Sequence, residues 1–414
     1  MTLDPVHFDG IAQLAGRIDQ RVDATDHSAF AETVFREFLD PLWHDGTRII
    51  EPVDELRRRR IDVADAALQD APFPTQHGLD SGTINPTTFS NGLVLDVAQA
   101  AMAAVPSDLD LHRARTVVAT VHSNDVTVDV DEDEWTMFDG GFSRGRVLQA
   151  PRVSRYEEAV VHALSLYLAE VTHAETQAEV VDDLLVLDGP IYPKGLLAWP
   201  DRHPELADLL VEDERPRDVV GTYIELVETF AARDVPLVGF VKNSASKAIT
   251  QAVRRESRAP WADDAAFFKR VLERRDDDGE RMTEELTFTN WFVSRCGVDA
   301  PLSVEGDALG LDRARDPADY EVTFFCLYDP RDDLLYRIEA PAVFTRDADL
   351  RERLTMQVLR DVAAERGPPL AVAKADELAR ISREEKGALG RAIEETFDAE
   401  RDRSYDDERW GLVA

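Results

Sequence analysis

Two aspartates, Asp80 and Asp188, stand where predicted strands end. Asp188 follows the apolar run at 184–187 and precedes a Gly-Pro turn, and Asp80 closes a short strand that begins near residue 76. Ligands of α/β sheets bind at such strand ends. Two carboxylates there would repel unless a divalent cation lay between them, and oxygen ligands suit Mg²⁺ or Mn²⁺. The pair predicts a metal site, although each aspartate alone could also be a turn or cap residue.

The residues after Asp80 are unusually small. Ser81 and Gly82 follow it directly. We interpret their size as room for a metal ion and a phosphate group to approach the carboxylate.

A third carboxylate is expected on the helix that precedes the Asp188 strand. A six-residue strand covers about 20 Å, which a helix covers in ~13 residues. If the helix ends near 172, the residue beside Asp188 lies near 158, so Glu157 and Glu158 are alternatives and Glu170 falls at the far end. An Asp–Glu–Asp set around two divalent ions is suited to in-line phosphoryl transfer.

Lysine is rare in this chain, with six in 414 residues, and two of the six lie close together. Lys242 and Lys247 flank a Ser/Asn-rich loop after a predicted strand. This placement suits a phosphate contact. The alternative is the start of a helix capped by Ser244 or Ser246.

The elements around these residues predict a mixed α/β sheet with helices packed on it. Residues 1–75 have helical periodicity, and from residue 76 strands come first and then alternate with helices. A charged stretch at 250–285 predicts a helical insertion, and 396–414 a C-terminal tail. The main unit is therefore expected to span 76–395.

The composition is strongly acidic, with 82 acidic against 47 basic residues and a formal net charge of −35. Such a surface suits high intracellular salt and is typical of halophilic archaeal proteins. Because molar salt weakens electrostatic steering, the charge does not exclude nucleic acid as a ligand. No signal peptide or membrane-length apolar run is visible, so we expect a cytoplasmic protein.

Several short motifs, in this order and spacing, resemble the NurA family of archaeal DNA-end-resection nucleases. They are "GLDSGT", "LLVLDGPIYP", "VGFVKNSASK", "YRIEAPAV" and "PLAVAKADELARI", within about 76–390. The resemblance implies an RNase H-like fold and Mn²⁺-dependent (or Mg²⁺-dependent) cleavage of DNA ends, of the 5′–3′ exonuclease and single-strand endonuclease type. It also implies a homodimer and a hexameric HerA-like ATPase as partner.

Carried over residue by residue, the family's aspartates fall on Asp80 and Asp188. Its helix glutamate falls on Glu157 or Glu158, and its loop lysine on Lys242. The family's tyrosine and histidine near the C-terminus have no counterpart between Gly367 and Lys374. Lys374 can donate to a phosphate but cannot ligate a metal while protonated.

Two other functions stay open at this stage. The missing C-terminal histidine favours a non-catalytic adaptor of a HerA-like ATPase, whereas Asp80 and Asp188 favour an enzyme. A different RNase H-like nuclease is the third alternative.

Overall fold

The apolar segments after residue 75 fold into the long strands at the centre of the molecule. The computed structural model describes residues 4–19, 27–128, 130, 134–256, 259–304 and 309–402. Its strands are β1 (Leu42–His44), β2 (Thr47–Pro52), β3 (Arg58–Asp62), β4 (Gln76–Thr83), β5 (Thr87–Thr88), β6 (Leu93–Val105), β7 (Arg115–Ser123), β8 (Thr136–Phe138), β9 (Ser143–Gln149), β10 (Leu185–Leu187), β11 (Leu237–Val241), β12 (Glu285–Thr289), β13 (Phe292–Ser294), β14 (Val322–Asp329) and β15 (Leu334–Pro341).

Helices connect and cover these strands. They are α1 (Pro5–Asp19), α2 (Ser28–Phe38), α3 (Val63–Ala67), α4 (Leu109–Arg113), α5 (Glu157–Thr176), α6 (Lys194–Leu197), α7 (Trp199–Arg202), α8 (Pro204–Glu212), α9 (Glu214–Ala232), α10 (Ala248–Glu256), α11 (Asp264–Leu272), α12 (Ala342–Thr345), α13 (Ala348–Glu365), α14 (Leu370–Ala379) and α15 (Arg383–Phe397).

All these strands belong to one mixed sheet, which confirms the predicted α/β class. The order is β1-β2-β13-β14-β15-β11-β10-β4-β6-β7-β9-β8, with β5 on β6 and with β12 joining β3 to β14. Strands β4, β6 and β7 are antiparallel, whereas β10 is parallel to both β4 and β11. Two strands that carry candidate residues, β4 and β10, are therefore neighbours that point the same way.

Helices pack on both faces of the central strands. Since successive side chains of a strand point to opposite faces, Ser81 of β4 turns toward α5 and Gly82 toward α14. The main core lies around β4, β10 and β11 and includes buried residues of α5, α9 and α13. A second core joins α2, α10 and α11 to β1, β2, β13 and β14.

The prediction of helices throughout the first 75 residues is wrong for 42–62, where β1, β2 and β3 lie. Strand β2 pairs with β13 and β3 pairs with β12, so partners from more than 200 residues away hold this segment extended. On β3, Arg59 stacks over Phe288 and binds Glu352. Such contacts leave no trace in local periodicity.

The other predicted regions are partly described. The segment 250–285 contains most of α10 and all of α11, as expected for a helical insertion, whereas its residues 257–258 lie outside the described residues. Of the predicted tail at 396–414, residues 403–414 also lie outside the described residues. Residues 396–402 contain the end of α15 and then an isolated β-bridge between Arg401 and Phe89. In the described part of the chain, no helix has the length and apolar character needed to cross a membrane.

Candidate metal centre

Strand pairing places Asp80 and Asp188 side by side. The parallel register of β4 and β10 matches Leu79 with Leu187, so each aspartate is the next residue on its own strand. The amide of Asp188 donates to the carbonyl of Leu79 at 2.9 Å and continues the pairing by one residue. The expectation that these two carboxylates lie together agrees with this geometry. The expectation that Asp80 closes its strand is wrong, because β4 stays paired with β6 as far as Thr83.

Helix α14 brings a third aspartate, Asp376, to the pair. The helix lies directly on β4 because glycines face it: a Cβ on Gly78 would stand 2.3 Å from the carbonyl carbon of Ala371, and one on Gly82 would stand 2.3 Å from the carbonyl oxygen of Ala379. The small residue at 82 therefore makes room for a helix, and our interpretation of it as space for a ligand is wrong.

The three aspartates form a compact oxygen cluster. One carboxylate oxygen each of Asp80, Asp188 and Asp376 lies within 4.8 Å of the other two. Asp80 and Asp188 are partly buried, whereas Asp376 is exposed, so the cluster opens to solvent on the α14 side. Hard cations such as Mg²⁺ and Mn²⁺ prefer carboxylate oxygens, and this donor set fits them.

The protonation of the cluster reflects its crowding. Burial, followed by the negative charge of Asp188, raises the pKa of Asp80 to about 8. Burial also raises the pKa of Asp188, although the hydrogen bond from Lys242 opposes this shift. Since a nearby cation favours the charged form of a carboxylate, a divalent ion would reverse both shifts.

Lys242 brings a positive charge to the cluster. It follows β11, and its Nζ donates to Oδ2 of Asp188 at 2.6 Å. The Lys242 side chain is 36% exposed. It can therefore turn toward solvent or toward a bound anion without disturbing the core.

The glutamate of α5 that lies beside this cluster is Glu170. Ser81 donates to its Oε1 at 2.5 Å and Tyr223 to its Oε2 at 3.0 Å. Burial raises the pKa of Glu170 to about 7, while these two hydrogen bonds oppose the shift. Glu170 and Asp188 also line one cavity of about 130 Å³.

The structure does not bring Glu157 or Glu158 to the aspartates. Both stand in the first turn of α5, three turns away from Glu170 along the helix. Our estimate assumed a strand of six residues and a helix end near residue 172, but β10 has three residues and α5 ends at Thr176. A strand of three residues covers ~10 Å, which a helix covers in ~7 residues. Counted back from the end of α5 at Thr176, seven residues reach Glu170.

Lys247 and Lys374, the other two lysines considered as phosphate contacts, lie outside the cluster. Lys247 is exposed just before α10 and lines a separate cavity of about 780 Å³. Lys374 lies two residues before Asp376 on α14, so the two side chains point to different sides of the helix. The Nζ of Lys374 donates to Oγ of Ser107 at 3.1 Å.

The sequence did contain a signal for Asp376. Ala371, Ala375 and Ala379 form a stripe of small buried residues on α14. The four residues from Gly78 to Gly82 on β4 span ~13 Å, close to the ~12 Å that the eight residues from Ala371 to Ala379 span on the helix. Small residues on both elements indicate close contact between them, and Asp376 adjoins that stripe.

Residues 74–381 match the profile of a family described as the NurA domain. The chain belongs to the NurA family. This confirms the resemblance inferred from the short motifs, and the match contains Asp80, Glu170, Asp188 and Asp376. No curated protein sequence matches this NurA chain significantly.

Solved NurA structures that match this protein share little sequence identity with it. The crystal structure of the NurA nuclease from Sulfolobus solfataricus has a TM-score of 0.47 and 13% identity and covers 96% of this chain and 98% of that one. A NurA structure with manganese has a TM-score of 0.39 and 10% identity, with 80% and 92% covered. One bound to dAMP and manganese has a TM-score of 0.27 and 10% identity, with 77% and 88% covered.

Proposed function

We propose that this NurA protein is a metal-dependent deoxyribonuclease. The observation that carries the proposal is the convergence of three carboxylates, Asp80, Asp188 and Asp376, within 4.8 Å of one another beside the end of β10. Solved NurA structures that contain manganese, and in one case dAMP, agree with this chemistry.

Asp80, Asp188 and Asp376 would hold Mn²⁺ or Mg²⁺. A divalent ion bound there supplies Lewis acidity toward a phosphate oxygen and activates water for in-line attack. The clustered carboxylates repel one another and so favour occupancy by a cation. We expect two ions, with Glu170 beside Asp188 as the fourth acidic group of the site.

Lys242 has a role that the aspartates cannot perform. Its ammonium group neutralises Asp188 at 2.6 Å. When a cation takes over that charge, Lys242 becomes available to donate to a phosphate oxygen of the substrate. We propose that it orients the scissile phosphate and stabilises the charge that develops on it.

We propose that the strands around the site form an RNase H-like core. The five strands around the site follow the order β7-β6-β4-β10-β11, with three antiparallel strands first and parallel ones after. In chain order, Asp80 lies on β4, the first of these five strands, Glu170 lies on α5, and Asp188 directly follows β10, the fourth. We propose that residues 76–395 form the unit that contains this core and that residues 1–75 form a separate N-terminal region.

The substrate and partners follow from family membership. We propose that the protein processes DNA ends during double-strand-break resection, as a 5′–3′ exonuclease and single-strand endonuclease. We also propose that it works in the cytoplasm as a homodimer with a HerA-like ATPase. The acidic surface favours a halophilic source.

The test is cleavage of end-labelled linear DNA in molar KCl with Mn²⁺, with and without the ATPase. We expect cleavage by the wild type and a loss of about 100-fold or more in Asp80→Asn, Asp188→Asn and Asp376→Asn. Asp182→Asn, a change at an exposed aspartate before β10, is the matched control and should retain activity. Equal activity of all four variants would overturn the proposal. An inactive wild type that still stimulates the ATPase would favour the adaptor.

A further inference from the structure

A basic cavity beside helix α15 stands out on this acidic protein. It has a volume of about 530 Å³ and lies between α15 and the residues that follow β4. Its charged lining consists of four basic residues and one acidic residue, namely Arg383, Lys386, Arg391, Arg401 and Glu384. In a chain with a net charge of −35, this local excess of positive charge indicates an anionic ligand.

Two of these basic residues have no acidic partner in the part of the chain that the structure describes. Lys386 is partly buried and Arg391 is exposed, and among the described residues neither side chain has a carboxylate partner. Most arginines of this acidic chain that the structure describes, such as Arg59 and Arg295, do bind carboxylates. Positive side chains without an acidic partner on the wall of a cavity attract an anion.

Packing holds the wall of the cavity in place. The Nε of Arg401 donates to Oε1 of Glu394 at 2.8 Å. The backbone of Arg401 forms an isolated β-bridge with Phe89. Its Nη1 lies so close to α15 that a Cβ on Gly390 would stand 2.8 Å from it. The guanidinium is therefore fixed against the helix before any ligand arrives, which lowers the entropy cost of binding.

The cavity lies near the proposed metal centre. Ile84, which lines it, comes four residues after Asp80 on the same segment, a distance of ~13 Å for extended backbone. Helix α14, which carries Asp376, leads directly into α15. A nucleic acid strand cleaved at the aspartates can therefore continue into this cavity. Because α15 begins at Arg383, most of the lining lies beyond the NurA match at 74–381.

We infer that the α15 cavity binds the phosphodiester backbone of the same nucleic acid strand that occupies the metal centre, a few nucleotides away from the cleaved bond. The inference rests on the proposed function, because it takes the substrate to be a nucleic acid. Phosphate contacts of this kind position a strand without reading its sequence. The cavity thus gives the nuclease a substrate contact that does not need the metal.

The test measures binding in EDTA, without cleavage. Fluorescence anisotropy of a labelled single-stranded oligodeoxythymidine of ~20 nucleotides, longer than a typical single-strand site, would be recorded over a range of KCl concentrations. We expect Lys386→Ala/Arg391→Ala to bind more weakly and to flatten the plot of log K against log salt by about 1.4, which is two phosphate contacts. Lys386→Arg/Arg391→Lys should bind as the wild type does.

The control is Arg36→Ala/Arg57→Ala, which also removes two positive charges, but at exposed surface ion pairs at the other end of the sheet. It should leave the salt slope unchanged. Equal slopes and affinities in the wild type and the Lys386/Arg391 variant would overturn the inference, as would equal losses in both double variants. Failure of the proposed function is distinguishable, because it would appear as intact binding without cleavage when Mn²⁺ is added.

Discussion

Gly82 and Ala379 are in contact so close that no side chain fits between them. A Cβ on Gly82 would stand 2.3 Å from the carbonyl oxygen of Ala379. This contact lets α14 lie on β4, and α14 carries Asp376. The third carboxylate of the metal centre therefore depends on a glycine that touches neither the metal nor the substrate.

We predict that Gly82→Ala displaces α14 and weakens the metal centre. The atom it meets is backbone and cannot turn aside, so overpacking should lower the free energy of unfolding by about 1–3 kcal/mol. Mn²⁺ affinity by calorimetry and cleavage should both fall. Gly221→Ala is the matched control, because nothing lies within 4 Å of that position on α9 and alanine favours helix. Unchanged Mn²⁺ affinity in Gly82→Ala would contradict this view of α14.

Substitution of Lys242 should separate metal binding from catalysis. In Lys242→Ala, Asp188 loses the ammonium that now competes with a metal ion. At pH 9, where the carboxylates are charged, we expect Mn²⁺ to bind more tightly than in the wild type while cleavage slows by about 100-fold. Lys242→Arg should recover part of the rate. Wild-type cleavage by Lys242→Ala would exclude a role for this residue in orienting phosphate.

Mn²⁺ affinity should rise with pH. The raised pKa of Asp80, about 8, and of Glu170, about 7, mean that a metal ion must displace protons below those values. Calorimetry between pH 6 and 9 should give increasing affinity that levels off above pH 8. An affinity independent of pH would indicate that these carboxylates are not ligands.

The same shifts predict how the metal-free protein responds to pH. Between the ordinary pKa of an aspartate and the raised value of Asp80, the folded state binds more protons than the unfolded state, so this group's contribution to stability is lost as pH rises toward 8. Denaturant unfolding in EDTA should give a smaller pH dependence for Asp80→Asn than for the wild type over this range. The same dependence in both proteins would refute the assignment.

Salt should stabilise the protein strongly. With a net charge of −35, the folded state is destabilised by its own repulsion, and the Debye length falls to about 3 Å at 1 M salt. The melting temperature should rise steeply with KCl at low concentrations and more slowly thereafter. Sucrose at equal osmolality is the control for general exclusion effects, and equal stabilisation by sucrose would contradict an electrostatic cause.

Local sequence predicts those site residues whose position depends only on one strand and its neighbouring strand. Asp188 was predicted because it follows an apolar strand. Asp80 was predicted at a strand end, and although β4 continues to Thr83, its parallel pairing with β10 still sets the two carboxylates side by side. Glu170 was missed because its position depends on the length of β10, which sequence overestimated by three residues, and on the end of α5, which sequence placed four residues too early. Asp376 was missed because its approach depends on glycines nearly 300 residues earlier in the chain.

The most direct test of the metal centre is a crystal structure with Mn²⁺, read by anomalous scattering. We predict a peak bound by oxygens of Asp80, Asp188 and Asp376 at about 2.0–2.6 Å, the range for hard cations on oxygen, with Lys242 moved away from Asp188. A manganese-saturated crystal with no peak between these carboxylates, and with Lys242 still bound to Asp188, would contradict the assignment.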